Sequence, residues 1–261
     1  MTTKKKPILN ELFESRNNHI ELAPEIDKNE FIKTVTSRRS VRVYNKQKVN
    51  EEDMRSCIEL ALLAPNSSNL QPWEFYWVRT IAKKNKLVEY CLGQPAAATA
   101  QELVVAVARP DYWKVNQKKM LKKINEMGEK APRSAIKYYD KIVPLAYRQG
   151  FLSIRGYLKK IAMELRGIKK PTPREPYSKR GMAVWAHKST ALACENLMLA
   201  LRAYGYDSCP MEGIDSTRIK KLLELKKPAE ISMVISAGKR AENGVYGKQV
   251  RFNSKYFIHE L

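Results

Sequence analysis

Four stretches of the 261-residue chain hold residue types that could do chemistry. The first is Arg38-Arg39-Ser40-Val41-Arg42. In extended chain alternate residues share a face, so Arg38, Ser40 and Arg42 point together. Two guanidinium groups and a hydroxyl on one face make an anion clamp; the plainer alternative is a solvated basic patch before a strand. The second, Pro65-Asn66-Ser67-Ser68-Asn69-Leu70-Gln71-Pro72-Trp73, sets amides and hydroxyls between prolines. It suits hydrogen bonding to a flat heterocycle, or is simply a turn. The third, Cys209-Pro210-Met211-Glu212-Gly213-Ile214-Asp215, reads as a loop in which Gly213 permits close backbone approach. The fourth, Tyr246-Gly247-Lys248-Gln249-Val250-Arg251-Phe252, offers two cations near a glycine, a phosphate grip or a surface loop.

None of these is a nucleophile-and-base motif. The chain has no G-x-S-x-G, no Walker loop and no G-x-G-x-x-G. Cys57, Cys91, Cys194 and Cys209 form no C-x-x-C pair, and His19, His187 and His259 are scattered. The cysteines therefore read as reduced, packed thiols, and no metal site is expected. Chemistry on this chain is expected to come from a bound cofactor.

The elements that must position these stretches follow from pattern. A helix is expected over Glu30–Thr36, leading into the Arg38 cluster. Asn50 can cap a helix whose first turn is acidic, and Met54, Cys57, Ile58, Ala61 and Leu62 keep helical spacing. Glu74–Arg79 alternates and reads as a strand; Leu103–Ala108 and Ile231–Ala237 are continuous apolar runs that read as buried strands. Ile154, Leu158, Ile161 and Leu165, with Phe151 before them, recur at helical spacing among basic residues, giving an amphipathic helix. Pro171–Pro176 ends it in extended chain. Trp185–Tyr204 is a long apolar helix, stopped by Gly205. Val250–Leu261 alternates enough to suggest a strand followed by an arm. Interleaved strands and helices imply an α+β sandwich. The expected organisation is an N-terminal arm over 1–29 and one domain over 30–261, with a basic helical insertion at 113–180.

The formal net charge is +21. Residues 113–180 carry 19 Lys and Arg against five Asp and Glu, about two thirds of the excess. Such a field attracts anions of any kind: a phosphorylated cofactor, a membrane surface or nucleic acid. No nucleic-acid-binding motif accompanies the charge, which argues against the last. Hydrophobic residues make up 44% of the chain, which suits a globular protein. No run of about 18 apolar residues is present. Residues 1–7 lack the apolar run of a secretory signal, so the expected location is cytoplasmic.

The combination is more specific than its parts. Arg-Arg-Ser-x-Arg-x-Tyr, Pro-x-Ser-x-Asn-x-Gln-Pro-Trp, Glu-Asn-Leu-Met-Leu-Ala, Cys-Pro-Met-Glu-Gly and a C-terminal Arg, in this order, resemble the nitroreductase superfamily from about Glu30 to the C-terminus, apart from the basic stretch. The resemblance implies an α-β-α sandwich with a central, mostly antiparallel sheet, an intertwined homodimer and FMN at the subunit interface. It implies that Arg38, Arg39 and Ser40 sit near the FMN phosphate and ribityl chain, and that Arg42 lies beside the flavin pyrimidine. Pro65, Asn66, Ser67 and Asn69 match the loop donated by the partner subunit. Gln94 matches a ligand of the pyrimidine edge, and Met211, Glu212 and Gly213 match the loop near N5. Lys248 and Arg251 resemble C-terminal phosphate ligands, with a spacing that differs from the commonest K-x-R version. The implied activity carries electrons from NAD(P)H through flavin N5 to an electron-poor small-molecule acceptor such as a nitroaromatic or quinone, with no catalytic acid or base from the protein. A second reading is a non-catalytic flavin-holding protein whose basic insertion docks on an anionic surface. The insertion departs from the family pattern, and is expected to be a lid, a peripheral membrane-surface helix or a further dimer contact.

Overall fold

The structure is a computed structural model, described for residues 21–150 and 154–261. Residues 1–20 of the expected arm, and Phe151 of the expected apolar stripe, lie outside the described residues. The helices are α1 (Lys28–Ser37), α2 (Glu51–Ala61), α3 (Ile81–Tyr90), α4 (Pro95–Ala98), α5 (Tyr112–Asn125), α6 (Arg133–Lys137), α7 (Val143–Tyr147), α8 (Ile154–Gly167), α9 (Lys179–Ala203) and α10 (Ser216–Leu222). The strands are β1 (Trp73–Val78), β2 (Glu102–Ala108), β3 (Asp207–Met211) and β4 (Glu230–Gly238). They form one antiparallel sheet in the order β1-β2-β4-β3.

The continuous apolar run of β2 is explained by cover on both faces. Val104 and Ala106 face α2 and α9, packing with Met54, Cys57, Cys194 and Leu197. Leu103, Val105 and Val107 face the other way, onto Leu87 of α3 and Ile219 of α10. This period-two division gives an α-β-α sandwich. Asn50 caps α2 as its sequence suggests: its side chain accepts from the backbone N–H groups of Glu52 and Asp53 at 2.7 and 3.0 Å. Gly205, at φ +79°, follows the end of α9.

Two expectations are corrected. Cys209–Asp215 is not all loop: Asp207–Met211 is the edge strand β3, and the loop begins at Glu212. Val250–Leu261 forms no strand; it is exposed chain with a single 3-10 turn at Ser254–Tyr256. Alternation becomes a strand only where a neighbouring strand pairs with it, and the tail makes no such pairing. The outer edge of β3 is already flanked by residues 40–44, through the bridge Ser40↔Ser208.

The basic stretch is helical, and its first half is part of the packing. Trp113, Tyr138, Tyr139, Val143 and Tyr147 join Leu70, Ala108, Met182 and Trp185 in one apolar cluster. A π-helical turn, Tyr138–Ile142, joins α6 to α7.

Candidate active site

Segment 38–44 is held against β3 from several sides. Val41 N–H donates to the Ser208 carbonyl at 3.1 Å and Arg42 N–H to the Gly244 carbonyl at 2.7 Å. Tyr44 is buried, with its hydroxyl 2.9 Å from Ser236 Oγ. Burial pushes this phenol far above the usual tyrosine range. A Cβ on Gly238 would come 2.9 Å from the Tyr44 ring, so the ring needs a glycine there. Beneath the turn lies buried Asp207. It accepts from Arg202 at 3.0 Å and from Arg240 at 2.8 and 2.5 Å. Arg202 also donates to Ser37 Oγ at 3.0 Å, fixing the end of α1 just before Arg38. Sequence reasoning missed this triad, because Arg240 lies 33 positions from Asp207 and the three residues match no motif.

The anchored segment meets the C-terminal cations. Arg38, Arg39, Ser40, Arg42, Lys248 and Arg251 line one groove of about 340 Å³. The Arg39 guanidinium donates to the Gly247 carbonyl at 2.6 Å and closes one end. No carboxylate lines the groove. Among the described residues, Arg38, Arg42, Lys248 and Arg251 have no ion-pair partner. Four uncompensated cations around a concave surface suit an anion with several acceptor oxygens, such as a phosphate monoester. The Cys209 thiol lies behind this segment. Burial raises its pKa, and Arg42, a hydrogen bond with Ser40 and Arg38 oppose the shift.

Gln94 and the loop after β3 come together: Gln94 Nε2 donates to the Gly213 carbonyl at 2.8 Å. Met211 is buried, while Glu212 and Gly213 are exposed. What this loop offers outward is therefore backbone and the Glu212 side chain.

Pro65, Asn66, Ser67 and Asn69 are not brought to the groove. Their loop precedes β1, at the opposite sheet edge from β3. Three strand spacings, about 14 Å, separate the two edges. Ser68, Asn69 and Gln71 have φ of 60°, 48° and 45°, a left-handed run that needs outside support. The basic insertion supplies it. Tyr147 shares hydrogen bonds with Ser67 at 2.9 Å and Ser68 at 3.0 Å, and Tyr138 with Ser68 at 2.7 Å. The Tyr139 hydroxyl donates to the Ser68 carbonyl at 3.0 Å, and Asn116 to the Leu70 carbonyl at 2.8 Å. A second cavity of about 930 Å³ lies on the far side of Tyr147, with Trp113 and Met182 in its walls and Lys114, Lys118 and Arg148 on its rim. None of the site residues expected from sequence lines it.

The arrangement is an α-β-α sandwich with a basic groove at one sheet edge, and comparison with known proteins places it further. The Nitroreductase family model matches residues 35–239, and the chain belongs to this family. It is 28% identical over 210 residues to a Thermus thermophilus protein named NADH dehydrogenase, across 79% of this chain and 85% of that one. Among solved structures, ydfN of Bacillus subtilis superposes with a TM-score of 0.70 at 21% identity, over 90% of this chain and all of the other. The NADPH:FMN oxidoreductase of Vibrio harveyi, solved with NAD+, gives 0.59 at 16% identity, over 89% and 77%. These structural likenesses concern the fold.

Proposed function

We propose that the chain is an FMN-dependent NAD(P)H oxidoreductase acting as a homodimer on an electron-poor organic acceptor such as a nitroaromatic or quinone. The observation that carries this reading is the convergence of Arg38, Ser40, Arg42, Lys248 and Arg251 on one acid-free groove. FMN fits that donor set, because it ends in a single phosphate monoester. When bound, it supplies electron transfer between a nicotinamide and an acceptor.

The protein's own residues then have binding and orienting roles. Arg38, Lys248 and Arg251 hold the phosphate, with Arg39 closing the groove and Ser40 near the ribityl chain. Arg42, one alternate position further on, sets a fixed cation beside the pyrimidine edge, where it favours added negative charge. Gln94 binds that same edge and, through its bond to Gly213, fixes the loop of Glu212 and Gly213. Pro65, Asn66, Ser67 and Asn69 cover the cofactor of the other subunit, which fits their position at the opposite sheet edge from the groove. Exposed apolar residues support the dimer: Leu62 and Leu63 after α2, Val184 and Leu192 on α9, and Phe252 and Phe257 in the tail. Tyr138 and Tyr147 act as positioning residues, since they hold the covering loop.

Steady-state oxidation of NADH and NADPH by FMN-loaded protein, with a quinone and a nitroaromatic as acceptors, tests the activity. Turnover with either nicotinamide supports it. Bound FMN without turnover would favour a flavin-holding role instead.

A further inference from the structure

Helix α8 is attached to the protein by the wrong face. A helix of a globular protein buries its apolar stripe and leaves its charges in water. Here the attached side is built from Gly156, Gly167, Lys159 and Lys160, with Met163 its one large apolar residue. A Cβ on Gly156 would lie 1.8 Å from the Tyr177 carbonyl oxygen, so the helix backbone rests directly on the chain after Pro176. The Lys159 ammonium donates to the Ala146 carbonyl at 2.5 Å and the Pro176 carbonyl at 2.7 Å. Desolvation there lowers its pKa, partly offset by Glu175. Lys160 lies over the Tyr177 ring at 4.7 Å, Gly167 abuts the Arg174 guanidinium, and Arg174 pairs with Glu164.

The outer face is apolar. At 3.6 residues per turn, Ile154, Leu158, Ile161 and Leu165 fall within an arc of about 60°, opposite Gly156, Lys159, Lys160 and Gly167. They are 57, 63, 59 and 64% exposed, and Ile168 just beyond the helix is 77% exposed. Arg155 and Arg166 flank one side of the stripe, and Lys169 and Lys170 follow its end, all exposed.

We infer that α8 is a membrane-surface helix: the stripe of Ile154, Leu158, Ile161 and Leu165 enters the headgroup–acyl boundary of an anionic phospholipid bilayer while its flanking cations hold the headgroups. An apolar face with basic flanks is the pattern of helices that lie in that interface. The helix lies on the bilayer and does not cross it. Its 14 residues span about 21 Å, short of the roughly 30 Å hydrocarbon core. Among the described residues no helix is long and apolar enough to cross a membrane. Charge decides between lipid and a second copy of this chain as the occupant. Stacking two insertions, each with 19 basic and five acidic residues, sets like charges together, whereas an anionic bilayer complements them.

Co-sedimentation of the full chain with phospholipid vesicles tests this, and a chain that bound no flavin would test it equally well. Vesicles of equal parts phosphatidylcholine and phosphatidylglycerol are expected to carry the protein down, and pure phosphatidylcholine vesicles to carry far less. Replacing two exposed stripe residues together, Ile161→Glu and Leu165→Glu, is expected to lower partitioning about tenfold or more, with the melting temperature unchanged. Arg155→Glu with Arg166→Glu is expected to weaken binding to the anionic vesicles only. Equal partitioning of the stripe variant and the parent would mean that general charge binds lipid, and would overturn the inference. So would absence of binding to either vesicle. A stripe variant that turned a lipid-free dimer into monomers would give the stripe to a second copy instead.

Discussion

Arg38 and Arg251 come from opposite ends of the chain and face one groove without carboxylate partners. Removing either guanidinium takes away a charged hydrogen bond and leaves no orphaned acid behind. Arg38→Ala and Arg251→Ala are each expected to weaken FMN binding by about 1.5–3 kcal/mol, read by flavin fluorescence titration, with little change in melting temperature. Arg42 differs: Arg42→Ala is expected to retain FMN but slow NAD(P)H-dependent turnover on the order of 10²-fold, measured with FMN-saturated protein. The cysteines give a prediction of another kind. Burial pushes the thiols of Cys57, Cys91 and Cys194 up to about 12, because the apolar interior disfavours the thiolate. The thiolate fraction of each at pH 8 is then on the order of 10⁻⁴. Unfolded, the same groups ionise near 9. Their neutral burial therefore favours the fold below pH 9, and that contribution is lost as pH rises toward 12. A disulfide-exchange reagent at pH 8 is expected to leave these thiols unmodified in the native protein and to modify them in urea. Rapid native labelling would contradict the packing.

The loop before β1 depends on elements far from it in sequence. Its left-handed residues are held by Tyr138, Tyr139 and Tyr147, about 70 to 80 positions away. Tyr138→Phe with Tyr147→Phe keeps both rings in the apolar cluster and removes only the hydroxyls. The pair is expected to lower FMN affinity by about 0.5–1.5 kcal/mol per lost bond, with the dimer intact. Removing 128–170 altogether takes Val143 and Tyr147 from the cluster around Leu70 and Trp185, so a fall in melting temperature is expected. Local signals were readable where one element suffices. Asn50 marks the start of α2, the run over 103–108 marks a strand covered on both faces, and alternation puts Arg38, Ser40 and Arg42 in one segment. Signals that depend on a neighbour were not. β3 contains Pro210 and buried Asp207, which read as loop residues until Arg202 and Arg240 are seen to neutralise the carboxylate. The tail alternates like a strand but pairs with no strand of its own chain. The tyrosine contacts carry no sequence signature.

At the scale of the whole molecule, the groove and the loop before β1 sit at opposite edges of a single sheet, so under the proposed reading the flavin site is shared between two subunits. FMN retention is therefore expected to follow assembly, and sedimentation of the flavin-loaded protein is expected to show a dimer. An FMN-loaded monomer would mean that the loop has another role. The central claim is that the acid-free groove is an FMN phosphate site, and calorimetric titration of FMN into the purified protein tests it most directly. Saturable, stoichiometric binding is predicted, sharply weakened in Arg38→Ala and Arg251→Ala and absent for riboflavin, which lacks the phosphate. No heat of binding with FMN, or equal affinity for riboflavin and for FMN in both variants, would contradict it.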